Sequence, residues 1–467
     1  MQKIVFLLFV LHLIFLAYLN NVYVAGLPLR SVLILLSGML VAFHQKDIFA
    51  EIQLVNKLYL LLMLYGLLIS LLNQVEPEKI INGELKLLQS YLVVLCGYYL
   101  VRNFGYKALA YMFLIIVVPS ALIGAMQALN VNKAWLLHDL VFSLQNKEIS
   151  DDIQNQIIEA LQRPPGLALY AIPQTYMLLS AVVFSSYLVL SSATSGRMQT
   201  VLLVINFIIL AGLVASETRS AMGAALFIYG MVYFYKFRSA SIILLTLMVL
   251  ATSAFFLWQS SDGTIDSRIV SLDDQSAQGR KTLYKYGLEL FFRRWWGYGF
   301  NFDTVEYAPH YFINNLNIFS YGPEEKAQYI VPVHNSILNI MHTFGLLGIV
   351  VLAYYLYRLV DGFWYRLVFV LGMLMNSSFH NAGILAGDLF VDMVIAVWLY
   401  ESTLKARRHE SITPKSIIPR SSTTQSNHIC TAQFQQGSRF QFNLQPTTAA
   451  TDKNTCKPQS RVIQHCG

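Results

Sequence analysis

Charge is what this sequence has little of. Asp, Glu, Lys and Arg make up 13% of the 467 residues, where a soluble domain carries about a quarter. Hydrophobic residues reach 55%, and the mean hydropathy is +0.50. Such a balance makes lipid the expected solvent. Cysteine is scarce as well, with four residues. Cys96 lies in an apolar run; Cys430, Cys456 and Cys466 lie in a C-terminal stretch expected in the cytoplasm, where thiols stay reduced. They do not point to a disulfide scaffold. No Cys/His metal spacing, HExxH or DxD pair is present, so no metal and no cofactor is expected. The net charge of +7 comes without a basic helix or zinc pattern, so nucleic acid is not an expected partner. Basic loops set topology in a polytopic protein. Repeats of solenoid period are absent, and run 6–15 lacks the alternation of an outer-membrane barrel.

What the chain has is long apolar runs. A helix needs roughly 20 apolar residues to cross a ~30 Å hydrocarbon core. Helices satisfy their own backbone in lipid. Runs fall at about 4–19, 29–43, 54–72, 85–101, 108–129, 167–190, 200–215, 221–235, 241–258, 335–357, 363–375 and 385–404. The first follows Lys3 but is long for a signal peptide and lacks a small-residue cleavage site, so it reads as an uncleaved span. The expected fold is an all-α polytopic membrane protein with about twelve spans. With the N-terminus inside, the inner connections hold Lys46 and Lys57, Arg102 and Lys107, Arg197, Lys236 and Arg238, and Arg358 and Arg366. Lys405, Arg407 and Arg408 follow the last span. Every short inner loop is then basic, as the positive-inside rule asks.

Two long polar segments fall outside, 130–166 and 259–334. Long loops translocate largely regardless of charge. In the first, Ile149, Ile153, Ile157 and Leu161 recur every fourth residue, an amphipathic helix stopped by Pro164-Pro165. In the second, Leu283, Tyr284, Gly287, Leu288, Phe291 and Phe292 mark another helix, with Arg280 a turn before its apolar face. Trp295, Trp296, Tyr298 and Phe300 suit an interfacial aromatic belt, and the glycines among them suggest close backbone approach. From 405 onward the chain is expected to be a disordered cytoplasmic tail, and 410–467 is rich in Ser, Thr, Gln, Pro and Asn.

Ionisable residues at membrane depth are costly and mark function by default. Arg163, Arg219, Arg280, His334, His380 and Asp388 all map to the outer boundary. Each also has a plain alternative. Arg219 could pair with Glu217 or Asp388, His334 could merely start a helix, His380 could be a satisfied interior group, and Arg163 could anchor at the headgroups. Asp388 and Asp392, four apart, would share a helix face. Arginine forks suit phosphate. A histidine among them is held neutral and can take a proton from a hydroxyl. Together these residues suit an anionic, phosphate-bearing substrate that reacts with a hydroxyl acceptor.

Four motifs in order resemble the bacterial O-antigen ligase and polymerase superfamily. They are Arg163-Pro164-Pro165-Gly166, Ser216-Glu217-Thr218-Arg219-Ser220, Gly279-Arg280 with Leu283-Tyr284 and Trp296-Gly297-Tyr298-Gly299-Phe300, and His334-Asn335-Ser336-Ile337-Leu338 with Phe344-Gly345-Leu346-Leu347-Gly348. Tyr284 stands where the family has Trp, Arg294-Trp295-Trp296 stands where Pro is common, and Thr218-Arg219 lacks the preceding Ser. The resemblance implies a metal-independent membrane glycosyltransferase of the GT-C type filling 1–404, in the bacterial inner membrane with its active site facing the periplasm. The donor would be an undecaprenyl-pyrophosphate-linked oligosaccharide, and the acceptor another glycan or lipid A-core. His334 would be the catalytic base, and Arg163, Arg219 and Arg280 would hold pyrophosphate. Asn335, His380 and Asp388 are secondary candidates. The resemblance covers polymerase, ligase and protein O-oligosaccharyltransferase, with polymerase preferred here. It leaves room for a chain-length regulator as partner. The rival from another class is a lipid-linked glycan flippase or transporter. That reading predicts small loops and inverted repeats, against which the two long outer segments weigh.

Overall fold

A computed structural model of the chain describes residues 1–24, 26–145, 163–191, 196–237, 275–313 and 332–412. All of these belong to one unit, Met1–Thr413. The expected span 241–258, the expected helix 149–161 and most of the expected tail lie outside the described residues. Apart from one small hairpin, Tyr23–Val24 (β1) against Leu27–Pro28 (β2), the described elements are helices.

Each described apolar run is a helix. They are α1 (Gln2–Tyr18), α2 (Leu29–His44), α4 (Gln53–Leu72), α5 (Pro77–Phe104), α6 (Tyr106–Ala128), α8 (Ala171–Leu190), α9 (Gly196–Ala215), α10 (Arg219–Phe237), α13 (Ser336–Val360), α14 (Trp364–Ser377) and α15 (Leu389–Ile412). Short α3 (Asp47–Glu51) and α7 (Asn132–Ser143) lie between them. Among the described residues, six helices are long and apolar enough to cross a membrane: α4, α5, α6, α8, α9 and α13. At 1.5 Å per residue, the 14 residues of α14 rise only about 21 Å. The bundle is built by α6 on α9, α15 on α5, α1 on α2 and α10 on α14.

Helix α15 also corrects the expected tail boundary, because it runs on to Ile412. Ion pairs hold this extension. Arg407 meets Glu51, which also receives Arg102 at 3.2 Å, and Lys405 meets Asp361 at 3.4 Å.

The segment before α13 forms α11 (Gln275–Arg293) and α12 (Thr304–Ile313). Arg280 sits inside α11, one turn before Leu283, where the apolar face begins. Leu283, Tyr286 and Leu290 pack with Tyr298, Ala308, Tyr311, Val333 and Leu338 in a small core separate from that of the bundle. The aromatic run divides in two. Trp295 and Trp296 are exposed, whereas Tyr298 and Phe300 are buried.

The strip 295–301 docks into a break in α13. At Gly345 the backbone turns to φ 61° and ψ −148°, and the helix is interrupted. The freed groups are taken up by the strip. Tyr298 N donates to His342 O at 2.6 Å, Gly299 N to Thr343 O at 3.2 Å, and Leu346 N to Trp295 O at 2.7 Å. A Cβ on Gly345 would lie 2.3 Å from Trp295 O, and one on Gly297 would lie 2.7 Å from Thr343 O. The glycines of two separate motifs thus let two backbones meet. The strip's other edge is held by α4 and α5. Tyr65 Oη donates to Trp296 O at 2.9 Å, Phe300 N donates to Ser70 Oγ at 2.8 Å, and Asn301 Nδ2 donates to Lys79 O at 2.6 Å.

Candidate active site

The hairpin 376–383, between α14 and α15, is where the other connections meet. Ser220, in the first turn of α10, donates from Oγ to Asn376 Oδ1 at 3.0 Å and lies 3.2 Å from His380 Nε2. The hydroxyl has one proton, so His380 Nε2 is the donor in the second contact. Tyr176 of α8 places its ring edge-on to His380, 5.6 Å between centroids, and its Oη accepts from Ala382 N at 3.3 Å. Tyr284 of α11 donates to Ser378 O at 2.6 Å, which puts a hydroxyl to use where the family has Trp. Arg280 stacks over Phe379, 5.6 Å from the ring centre. Such a contact is worth about 0.5–2 kcal/mol. A Cβ on Gly383 would meet Ser336 Oγ at 2.7 Å, so the start of α13 presses directly on the hairpin.

This hub gathers most of the sequence-derived candidates. His334 lies half-buried beside Arg280, with the Asn381 side chain in hydrogen-bonding reach of its ring. Burial, and then the Arg280 charge, hold its pKa below the ordinary histidine value. His380 is buried, and burial followed by the charges of Arg280, His334 and Arg163 pushes its pKa down to about 4. Arg163, Arg280 and His334 thus come from three separate segments to act on one imidazole.

Arg163 is brought there by a buried amide clamp. Gln127 of α6 donates from Nε2 to Gly166 O at 3.0 Å and accepts from Gly166 N at 2.9 Å. Ser120 Oγ accepts from Leu167 N at 2.8 Å and donates to Gln174 Oε1 at 2.7 Å. Two-way amide pairing in a dry site fixes the return after Pro164-Pro165. Arg219 is exposed at the start of α10, next to Ser220, so it stands at the hub's rim and not inside it.

Two candidates have other duties. Asn335 is the N-cap of α13, its Oδ1 accepting from Leu338 N at 3.0 Å. Asp388 caps α15, its Oδ1 accepting from Phe390 N at 3.1 Å and Val391 N at 3.3 Å. Asp388 therefore precedes the helix and does not share a face of it with Asp392. Replacing Asn335 by Ala should cost about 1 kcal/mol, typical of a lost cap. The purified protein should melt a few degrees lower while its pH profile for transfer stays in place. A shifted profile would give Asn335 a part in the chemistry.

Sequence reading passed over Ser220, Asn376, Asn381, Tyr176 and Tyr284. Asn376 and Asn381 do carry a signal, as amides flanking His380 in a polar hairpin between two apolar runs.

The O-antigen ligase family model matches residues 204–353. Over this segment the chain is similar to the O-antigen ligase family. The match supports glycan transfer of that general type, with a lipid-linked glycan and an acceptor as substrates. The O-antigen ligase segment contains Arg219, Arg280, His334 and Gly345, whereas Arg163 and the hairpin 376–383 lie outside it. No curated protein and no solved structure matches the chain.

Proposed function

We propose that the chain polymerises O-antigen-type repeats, moving glycan from undecaprenyl pyrophosphate to a sugar hydroxyl at the periplasmic face of the bacterial inner membrane. The observation that carries this is the meeting at one hairpin of Arg280, which stacks over Phe379, of His380, which Ser220 contacts, and of the start of α13, which follows His334. His334 takes the proton as the acceptor oxygen attacks the anomeric carbon. A new C–O bond forms, the bond from that carbon to the pyrophosphate oxygen breaks, and the lipid pyrophosphate leaves. Arg163 and Arg280, with Arg219 at the rim, offset the charge that grows on the leaving group, a role best filled in a water-poor cleft. The guanidinium charges are read here as standing in for a divalent metal. The basic inner loops support about twelve spans with cytoplasmic termini.

A second reading, ligase to lipid A-core, is favoured by the description of the matched family. Gene deletion separates the two. Loss of a polymerase leaves one repeat on the core, and loss of a ligase leaves bare core. Unchanged surface glycan would refute both.

The depressed pKa of His334 sets a pH dependence. Only the neutral ring accepts a proton, so activity should persist to below the ordinary histidine pKa of 6.5 before an acid limb appears. Arg280 contributes to the depression, so Arg280→Gln should raise the His334 pKa and move that limb to higher pH. The profile of kcat/KM reports it. A limb that does not move in the variant would separate Arg280 from His334.

A further inference from the structure

Away from the hub, a basic residue in the first turn of α2 and another in the third turn of α5 lie where these helices meet, with Gln89 Nε2 of α5 donating to Ser31 Oγ of α2 at 2.8 Å. Arg30 lies in the first turn of α2, and its Nε is buried with no hydrogen-bond partner. Lys86 of α5 is close enough for the two charges to repel. Its Nζ donates to Asn301 Oδ1 at 3.0 Å. Below them, His12 of α1 is wholly buried. Its Nδ1 lies 2.8 Å from Arg30 O, and its Nε2 has no partner. Tyr23 of the small hairpin stands beside the guanidinium. Among the described residues, no carboxylate pairs with Arg30 or Lys86.

Three other basic residues of the described chain do meet an acid. Arg366 meets Glu401 at 2.9 Å, Arg102 meets Glu51 at 3.2 Å, and Lys79 meets Glu306 at 2.9 Å. Two like charges held near each other repel unless an anion joins them, and the buried Nε of Arg30 is left without a partner. A guanidinium with a free Nε edge beside an ammonium suits a phosphoryl group, which the fork can grip through two oxygens.

We propose that Arg30 and Lys86, with His12 beneath, form a second site for a lipid-borne phosphoryl group. In the polymerisation proposed above, on which this assignment of ligand rests, both substrates are lipid pyrophosphates. The hub holds the donor, and the Arg30–Lys86 pair holds the acceptor's headgroup. The strip 295–301 joins the sites. Tyr298, bonded to α13, and Asn301, bonded to Lys86, are three residues apart, a span of at most about 10 Å. Glycans on the two carriers would then meet beneath this strip.

The test uses the full-length protein in phosphatidylcholine nanodiscs, with undecaprenyl pyrophosphate as probe and native mass spectrometry to count it. The wild type should take two per chain. Lys86→Gln and the double variant Arg30→Gln/Lys86→Gln should bind the second at least tenfold more weakly, and Arg30→Lys should keep it. Arg280→Gln should weaken the other. Lys86 has an exposed side chain, so its single variant carries the test if the double one fails to fold. One probe per wild-type chain, unaffected by Lys86→Gln, overturns the proposal. Displacement of the second probe by equimolar phosphatidylglycerol would keep the phosphoryl site but assign it to bilayer phospholipid. Two bound probes without any chain growth in a transfer assay would sink the polymerase reading and leave the site standing.

Discussion

Replacing His334 with alanine should lower the rate of glycan transfer about 10²–10⁴-fold, the usual contribution of a general base. The protein should otherwise remain intact, because little packing depends on this side chain. It is half-buried, and it precedes a helix whose cap is Asn335. The contact it gives Tyr284, at 3.4 Å, is through its backbone carbonyl, which alanine keeps. Expression and melting temperature should therefore match the wild type while transfer from a fluorescent lipid-linked donor nearly stops. His380 is poorly placed to substitute. It is buried, its Nε2 is committed to Ser220, and at a pKa of about 4 it is a weak base. Activity within fivefold of wild type, at equal protein level, would remove His334 from the mechanism.

Much of the helical frame was legible because lipid leaves a plain signature. An apolar run between basic residues has few other uses, and each described run is a helix, although α5 begins eight residues before its run. Their capacity to span was less legible, since length is set where polar contacts end the helix. The expected end of α15 at 404 missed two turns that Lys405 and Arg407 secure through Asp361 and Glu51. The site was legible in part. The motifs singled out Arg163, Arg280 and His334, and the structure brings these together. The surface that gathers them was not legible. Asn376 and Asn381 mark a polar hairpin between two apolar runs, but only the fold reveals that three separate elements bond to it.

Two other misses have different causes. Asn335 stood directly before an apolar run, which is the sequence sign of an N-cap, but its place beside His334 drew it into the site. Arg30 and Lys86 sit just inside the ends of apolar runs. There a basic residue passes for a headgroup anchor, and proximity across 56 residues of sequence cannot be read from either one. The break in α13 was the least legible feature. Residues 336–360 are mostly apolar, so hydropathy shows one helix. What breaks it is a remote strip competing for its backbone groups.

That break makes Gly345→Ala the most disruptive small substitution to expect in this chain. At φ 61° and ψ −148° the residue lies near a region essentially confined to glycine, costing another residue about 1–3 kcal/mol. Space is the second problem. The added methyl would lie 2.3 Å from Trp295 O and 2.3 Å from Trp296 C, both backbone atoms that no rotamer change can move. The strip would have to lift. Lifting it breaks the bonds from Tyr298, Gly299 and Leu346, each worth about 0.5–1.5 kcal/mol, and leaves His342 O and Thr343 O without those donors. Strain and lost bonds together come to about 2.5–7.5 kcal/mol. The effect should reach the site, because the strip follows directly on α11, which carries Arg280 to Phe379. Hydrogen exchange should show faster opening at Tyr298, Gly299 and Leu346 in the variant, with transfer lost in parallel. Gly105→Ala gives a fair comparison. It too has a positive φ, of 81°, but nothing lies within 4 Å of its Cβ position, so it tests strain without the clash. Should the two variants be equally stable, close backbone docking at Gly345 would not be what the G-L-L-G element serves.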